Sequence, residues 1–243
     1  MKASKVIVGV SLLCLPLVGA GPDLTRSQFR KENLDLPFDA GASGDEEEEA
    51  PDSVFLYGQP YEGNAFVFCL DESMTMRDEK RFETQNREAK RAIDELISRT
   101  EFGVKFFGGS VHSFKSSLVP ATFDNKLAAK RYINSREVEV GTCMGTAVVE
   151  AIEKLSRSSR SHRTVLVISD GQATDCPYTG WSDCGTQKRV NKQILDQVWR
   201  ANAARKVTIH TIFVGKEDRC GISVAFLRRL AESNGGTYRS KPN

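Results

Sequence analysis

Phe66-Val67-Phe68-Cys69-Leu70-Asp71-Glu72-Ser73-Met74-Thr75 decides how the rest of the chain is read. Its five leading apolar residues form a short continuous run, the pattern of a strand buried on both faces. The run stops at a carboxylate, and Ser73 and Thr75 follow at alternate positions. A turn leaving a strand thereby gathers three oxygen donors, the ligand type that hard divalent cations such as Mg²⁺ prefer. From about Glu79 a helical pattern takes over, with Phe82, Ala89, Ile93 and Leu96 on one face.

The same alternation continues to the end of the chain. Apolar runs at 102–108, 111–114, 164–169 and 207–214 read as further strands. Helical periodicity covers 79–99, 123–136, 145–157, 187–205 and 223–233, the last stopped by Asn234-Gly235-Gly236. The fold class that follows is α/β, a doubly wound, mostly parallel sheet with helices on both faces. The pair 102–108 and 111–114, joined through Gly108-Gly109, reads as a hairpin and supplies one antiparallel edge strand. In such sheets ligands bind beyond the carboxyl ends of the strands, where the strand order reverses. Asp71 ends one strand, Asp170-Gly171 ends another, and Thr142 precedes the helix that leads into the latter. All are expected on one rim.

Residues 1–20 have the shape of a signal peptide: Lys2 and Lys5, an apolar stretch from Val6 to Val18, and Val18-Gly19-Ala20 as cleavage site. A retained N-terminal anchor is the alternative. Residues 21–60 hold ten acids and three bases, with Asp45-Glu46-Glu47-Glu48-Glu49 at their heart, and read as a disordered acidic leader. Residues 61–243 then make one domain, with 22 acids against 29 bases. Export and the lack of an aromatic-studded basic stripe argue against nucleic acid. No segment after residue 20 reads as a membrane span.

Five cysteines follow the signal: Cys69, Cys143, Cys176, Cys184 and Cys220. An oxidising compartment favours pairing. Cys176 and Cys184 flank one short loop and are the expected bridge, worth about 2.5 kcal/mol for so small a ring. Cys220 is an alternative partner for either, and Cys69 reads as a free core residue. His112, His162 and His210 stand apart, in no spacing such as H-E-x-x-H. Neither G-x-S-x-G nor a P-loop is present, and without C-x-x-C spacing no structural zinc is expected.

Three motifs, Asp71-Glu72-Ser73-Met74-Thr75, Gly141-Thr142-Cys143-Met144-Gly145-Thr146-Ala147 and Val165-Leu166-Val167-Ile168-Ser169-Asp170-Gly171, occur in that order on strand ends. In this the chain resembles the von Willebrand factor type A family over about 64–240, bacterial exported members included. The resemblance implies a metal-ion-dependent adhesion site at Asp71, Ser73, Thr75, Thr142 and Asp170. The cation would be Mg²⁺ (or Mn²⁺ or Ca²⁺), completed by an Asp or Glu side chain of a partner protein. That makes the chain an exported adhesion or scaffolding module, not an enzyme. Glu72 on the same turn, and Tyr178 and Trp181 on the 172–186 connection, are candidate partner contacts, while Thr146 fits a helix cap. Two rival readings differ. Asp71 also resembles the nucleophile of haloacid-dehalogenase-type Mg²⁺ phosphohydrolases, although Ser73 stands where they carry a second Asp. Alternatively the metal site has decayed and the domain binds without metal.

Overall fold

A computed structural model describes residues 50–174, 176 and 183–241. The signal peptide, the leader up to residue 49, Tyr178 and Trp181 lie outside the described residues. A hairpin comes first, β1 (Asp52–Leu56) paired antiparallel with β2 (Gln59–Gly63). β3 (Ala65–Asp71), a 3-10 stretch (Met74–Lys80) and α1 (Arg81–Glu95) follow. Next come β4 (Glu101–Phe107), the short β5 (Val111–Ser113) and β6 (Val119–Pro120), then α2 (Phe123–Asn134) and α3 (Met144–Ser156). β7 (Arg163–Ser169), α4 (Cys184–Ala201), β8 (Thr208–Phe213), α5 (Ser223–Glu232) and β9 (Tyr238–Ser240) complete the chain.

The main sheet runs β5-β4-β3-β7-β8-β9, with β6 also on β4. The four pairings from β4 through β9 are parallel, and β5 and β6 add the antiparallel edge. This is the expected doubly wound architecture. From β3 the chain moves outward to β4, then jumps back across β3 to β7 and continues the other way. The reversal therefore falls between β3 and β7, the place where this class of sheet opens a crevice.

Side-chain alternation along the strands divides the interior in two. Val67, Cys69, Val165, Val167 and Ile209 pack against α3, α4 and α5. Phe66, Phe68, Leu70, Phe102, Val104, Leu166 and Ile168 face α1 and α2. Val54, Leu56 and Tyr61 of the hairpin join that second layer and are buried. The leader's expected end at residue 60 is thus corrected: 52–60 is folded, because inward Val54 and Leu56 alternate with outward Ser53 and Phe55. β9 is a strand that periodicity missed, being only three residues long and polar. α4 starts at Cys184 rather than 187 because Asp183 caps it, accepting from Thr186 N at 2.9 Å. Thr146 is no cap: α3 begins at Met144, and Thr146 lies exposed inside its first turn. No helix of the described residues is long and apolar enough to cross a membrane.

Candidate metal centre

β3 and β7 are neighbours in register, so Asp71 and Asp170 leave the sheet side by side at the switch point. Both are buried, Asp71 with 0% of its surface exposed. Asp71 is held from three sides. Its Oδ1 accepts from Ser73 N at 2.7 Å, and its Oδ2 accepts from the Ser169 hydroxyl at 2.5 Å. Its main chain is clamped by Gln85 of α1, whose amide accepts from Asp71 N at 3.1 Å and donates to Asp71 O at 2.8 Å. Ser73 and Thr75 share a hydrogen bond, with oxygens 3.1 Å apart.

Asp170 has less support. Its Oδ1 accepts from Gln172 N at 3.3 Å, and Oδ2 is buried with no hydrogen-bond partner. Arg81 Nη1 lies 3.8 Å from that oxygen. Gly171 makes the turn possible: its φ of 78° suits glycine, and a Cβ there would sit 2.8 Å from Ser223 Cβ. Burial first, and then the charge of Asp170, push the Asp71 carboxyl up to about 7. Asp170 is raised as well, mainly by burial, against the pull of Thr75 and Arg81. Two buried carboxylates, one oxygen of which has no hydrogen bond and meets Arg81 only at 3.8 Å, form a site that a further positive charge would stabilise.

Thr142 reaches the rim by a different route. Cβ atoms at Gly108 and Gly109 would lie 2.7 Å from Glu139 Cβ and 2.4 Å from Val140 O, so only glycine lets the 139–143 segment cross the end of β4. Cys143 N then donates to Gly108 O at 2.8 Å, and Glu139 N to Glu72 O at 2.6 Å. The segment after β7 ties on in turn, with Thr142 N donating to Thr174 Oγ1 at 2.8 Å and Thr174 N to Thr142 O at 3.1 Å. Ser73, Thr75 and Thr142 thereby line one cavity of about 540 Å³ together with Met74, Val140, Gln172 and Ala173. Gly141, Thr174, Gln187, Asp218 and the exposed Arg219 complete its wall. The arrangement can bind a hard cation on hydroxyl oxygens, with two carboxylates set back from the cavity.

Two expectations are corrected here. Glu72 does not face a partner: its side chain is buried and bound twice by Arg136, Nε to Oε2 and Nη2 to Oε1, each at 2.9 Å. A side chain directly after an inward-facing Asp71 falls on the other side of the strand, away from the cavity. The cysteines are joined as Cys143–Cys176 and Cys184–Cys220, not Cys176–Cys184. The Thr142–Thr174 hydrogen bonds draw Cys176 to Cys143, and Gln187 of α4 donates to Asp218 at 3.2 Å beside Cys220. Cys69 is buried and unbridged, as its place in β3 implies. Sequence reading overlooked Ser169, Gln85 and Thr174. Only Ser169 carried a signal, as a polar residue ending an otherwise apolar strand.

Residues 66–172 match the family model of the von Willebrand factor type A domain. Mouse inter alpha-trypsin inhibitor heavy chain 4 is 30% identical over 180 residues, which is 71% of this chain and 17% of that protein. The chain thus spans less than a fifth of the curated relatives it matches, the bovine heavy chain H4 among them at 18%. Among solved structures, a von Willebrand factor type A protein from Catenulispora acidiphila superimposes with a TM-score of 0.59 at 18% identity, covering 81% of this chain and 47% of that one. The pilus adhesin SpaC from Lactobacillus rhamnosus GG gives 0.60 at 13% identity, over 74% of this chain and 28% of its own.

Proposed function

Since the chain carries a von Willebrand factor type A domain, we propose that it is an exported protein-binding module. In this reading Asp71, Ser73, Thr75, Thr142 and Asp170 hold a divalent cation, Mg²⁺ by preference. The observation that carries it is Asp170 Oδ2, buried without a hydrogen bond and met by Arg81 at 3.8 Å, close to the Asp71 carboxyl. A bound cation adds to the positive charge of Arg81 and supplies an electrophilic point for a partner's Asp or Glu. The chain's own residues do the rest: Ser169 and Gln85 fix Asp71, and Thr174 fixes Thr142. Met74 and Val140, 45% and 50% exposed, offer apolar contact beside the cavity, and Arg219 favours an acidic partner. These three replace Glu72 as partner contacts. Export is supported by the signal-like residues 1–20 and by two disulfides.

Binding is favoured over phosphoryl chemistry because Asp71 is buried and set back from the cavity lining, and Ser73 stands where a phosphohydrolase carries its second Asp. Thermal melts with added MgCl₂ or MnCl₂, against chelator, test the cation. Both salts should raise the melting temperature of the native protein and leave Asp71→Ala unmoved. Equal shifts in the two proteins sink the reading. Turnover of a chromogenic phosphate ester that disappears in Asp71→Asn would support the phosphohydrolase instead.

A further inference from the structure

Behind the β3 turn lies a second convergence of ligand atoms. Glu72 follows β3, His112 lies in β5, and Glu139 belongs to the segment that crosses the end of β4. His112 Nε2 is 2.9 Å from Glu139 Oε1 and 3.7 Å from Glu72 Oε1, and the three ligand atoms lie within 4.8 Å of one another. Ser110 Oγ adds a fourth donor, 2.9 Å from the same nitrogen and 3.3 Å from Glu139 Oε2. In the metal-free arrangement Arg136 and Ser110 share these oxygens with the imidazole, Arg136 on Glu72 and Ser110 donating to Glu139 Oε2. Ligand atoms within 4.8 Å of one another are also close enough to share one metal ion.

We propose that Glu72, His112 and Glu139 form a second cation site, selective for a borderline transition-metal ion such as Zn²⁺ over Mg²⁺. One imidazole and two carboxylates are a donor set suited to Zn²⁺, Co²⁺ or Ni²⁺, whereas Mg²⁺ favours oxygen alone. Arg136 shows that the place is built for positive charge. Its Nη2 lies 2.9 Å from Glu72 Oε1 and 3.2 Å from Glu139 Oε1, where an ion would draw the two acids together. The Arg136 side chain is 18% exposed, which leaves the guanidinium a way out to solvent. It can swing clear of the oxygens that face the ion. Glu139 leads through Val140 and Gly141 to Thr142, so an ion here would also brace one wall of the first site.

The site is tested with Co²⁺ as a spectroscopic probe at pH 7.5, on the intact protein and on Asp71→Ala. Visible d–d absorption should appear in both, saturate at one equivalent in Asp71→Ala, survive excess Mg²⁺ and vanish on adding Zn²⁺. His112→Ala and Glu139→Gln, at half-buried positions, should each weaken Co²⁺ binding at least a hundredfold, more than loss of an outer partner. Arg136→Gln should tighten it by removing the competing cation. Absorption that persists in His112→Ala, that is lost in Asp71→Ala, or that never appears in the native protein overturns the proposal. So does weaker binding in Arg136→Gln. Because Asp71→Ala silences the first site alone, failure of one assignment leaves the other readable.

Discussion

Ser169 and Asp71, 98 residues apart, meet through a 2.5 Å hydrogen bond across the β3–β7 seam. The same hydroxyl accepts from Gly171 N at 2.8 Å. One buried serine thus sets both the orientation of the Asp71 carboxyl and the turn that carries Asp170. Ser169→Ala leaves a buried carboxylate oxygen and a buried amide without partners, which costs about 1–3 kcal/mol each. The expected result is a lower melting temperature together with weaker Mg²⁺ binding by calorimetry. Ser169→Thr, which keeps the hydroxyl, should recover part of both. Unchanged Mg²⁺ affinity in Ser169→Ala would show that Asp71 needs no such orientation.

His210 makes the far end of the sheet sensitive to acid. It sits on β8, its Nδ1 accepts from Thr237 N at 3.0 Å, and its ring meets Tyr61 edge-on at 5.0 Å. Burial lowers its pKa from 6.5 to about 4. The unfolded chain therefore binds more protons than the folded one between those values. The stability contributed by neutral His210 is present above pH 6.5 and is lost as pH falls towards 4. Because the ring is partly exposed, the loss is on the order of 2 kcal/mol after solvent screening. Thermal melts should show the native protein weakening faster than His210→Gln over that window. Parallel pH profiles would remove His210 from the account.

How far the sequence could be read depended on how local each cause was. β3 and β7 were legible because strands buried on both faces must be apolar almost throughout, and their polar ends mark the rim. The oxygen donors were legible for the same reason: Asp71, Thr142 and Asp170 stand where apolar or helical patterns break. The hairpin was not, since Val54, Leu56 and Tyr61 are a thin alternation among acidic, glycine and proline residues. Glu72 misled because spacing places a residue on a turn without saying which side its carboxylate takes. Its fate was decided by Arg136, 64 residues away.

The disulfide pattern followed distance in space, not in sequence. Cys143–Cys176 and Cys184–Cys220 close loops with separations of 33 and 36 residues, and each ties one side of the post-β7 connection to a different neighbour. In the chain-entropy model a loop of that size is worth about 3–4 kcal/mol. Peptide mapping without reduction should recover fragments joining 143 to 176 and 184 to 220. Cys143→Ser should lower the melting temperature and weaken Mg²⁺ binding, because Thr142 loses the staple beside it. Cys220→Ser should lower stability while disturbing Mg²⁺ binding less. A recovered 176–184 fragment would restore the short ring that sequence proximity favoured.

The hairpin gives the sharpest test of where the domain begins. β1 and β2 place Val54, Leu56 and Tyr61 against α1 and the adjoining strands, and the residues they cover are apolar. The pairing is reinforced at its ends. Phe55 N donates to Glu95 Oε2 at 2.7 Å, and Asp52 Oδ2 accepts from Ile97 N and the Thr100 hydroxyl, each at 2.8 Å. A chain starting at residue 64 would expose that layer to water and should aggregate or melt well below one starting at residue 50. Leu56→Ala within the longer chain should cost about 2–5 kcal/mol, as for other fully buried leucines. Asp52→Ala should cost less, about 1–2 kcal/mol, through the two bonds it ends. Denaturant unfolding monitored by circular dichroism measures all three. A chain starting at residue 64 that is as stable as the longer one would mean the hairpin merely rests on a domain that is complete without it.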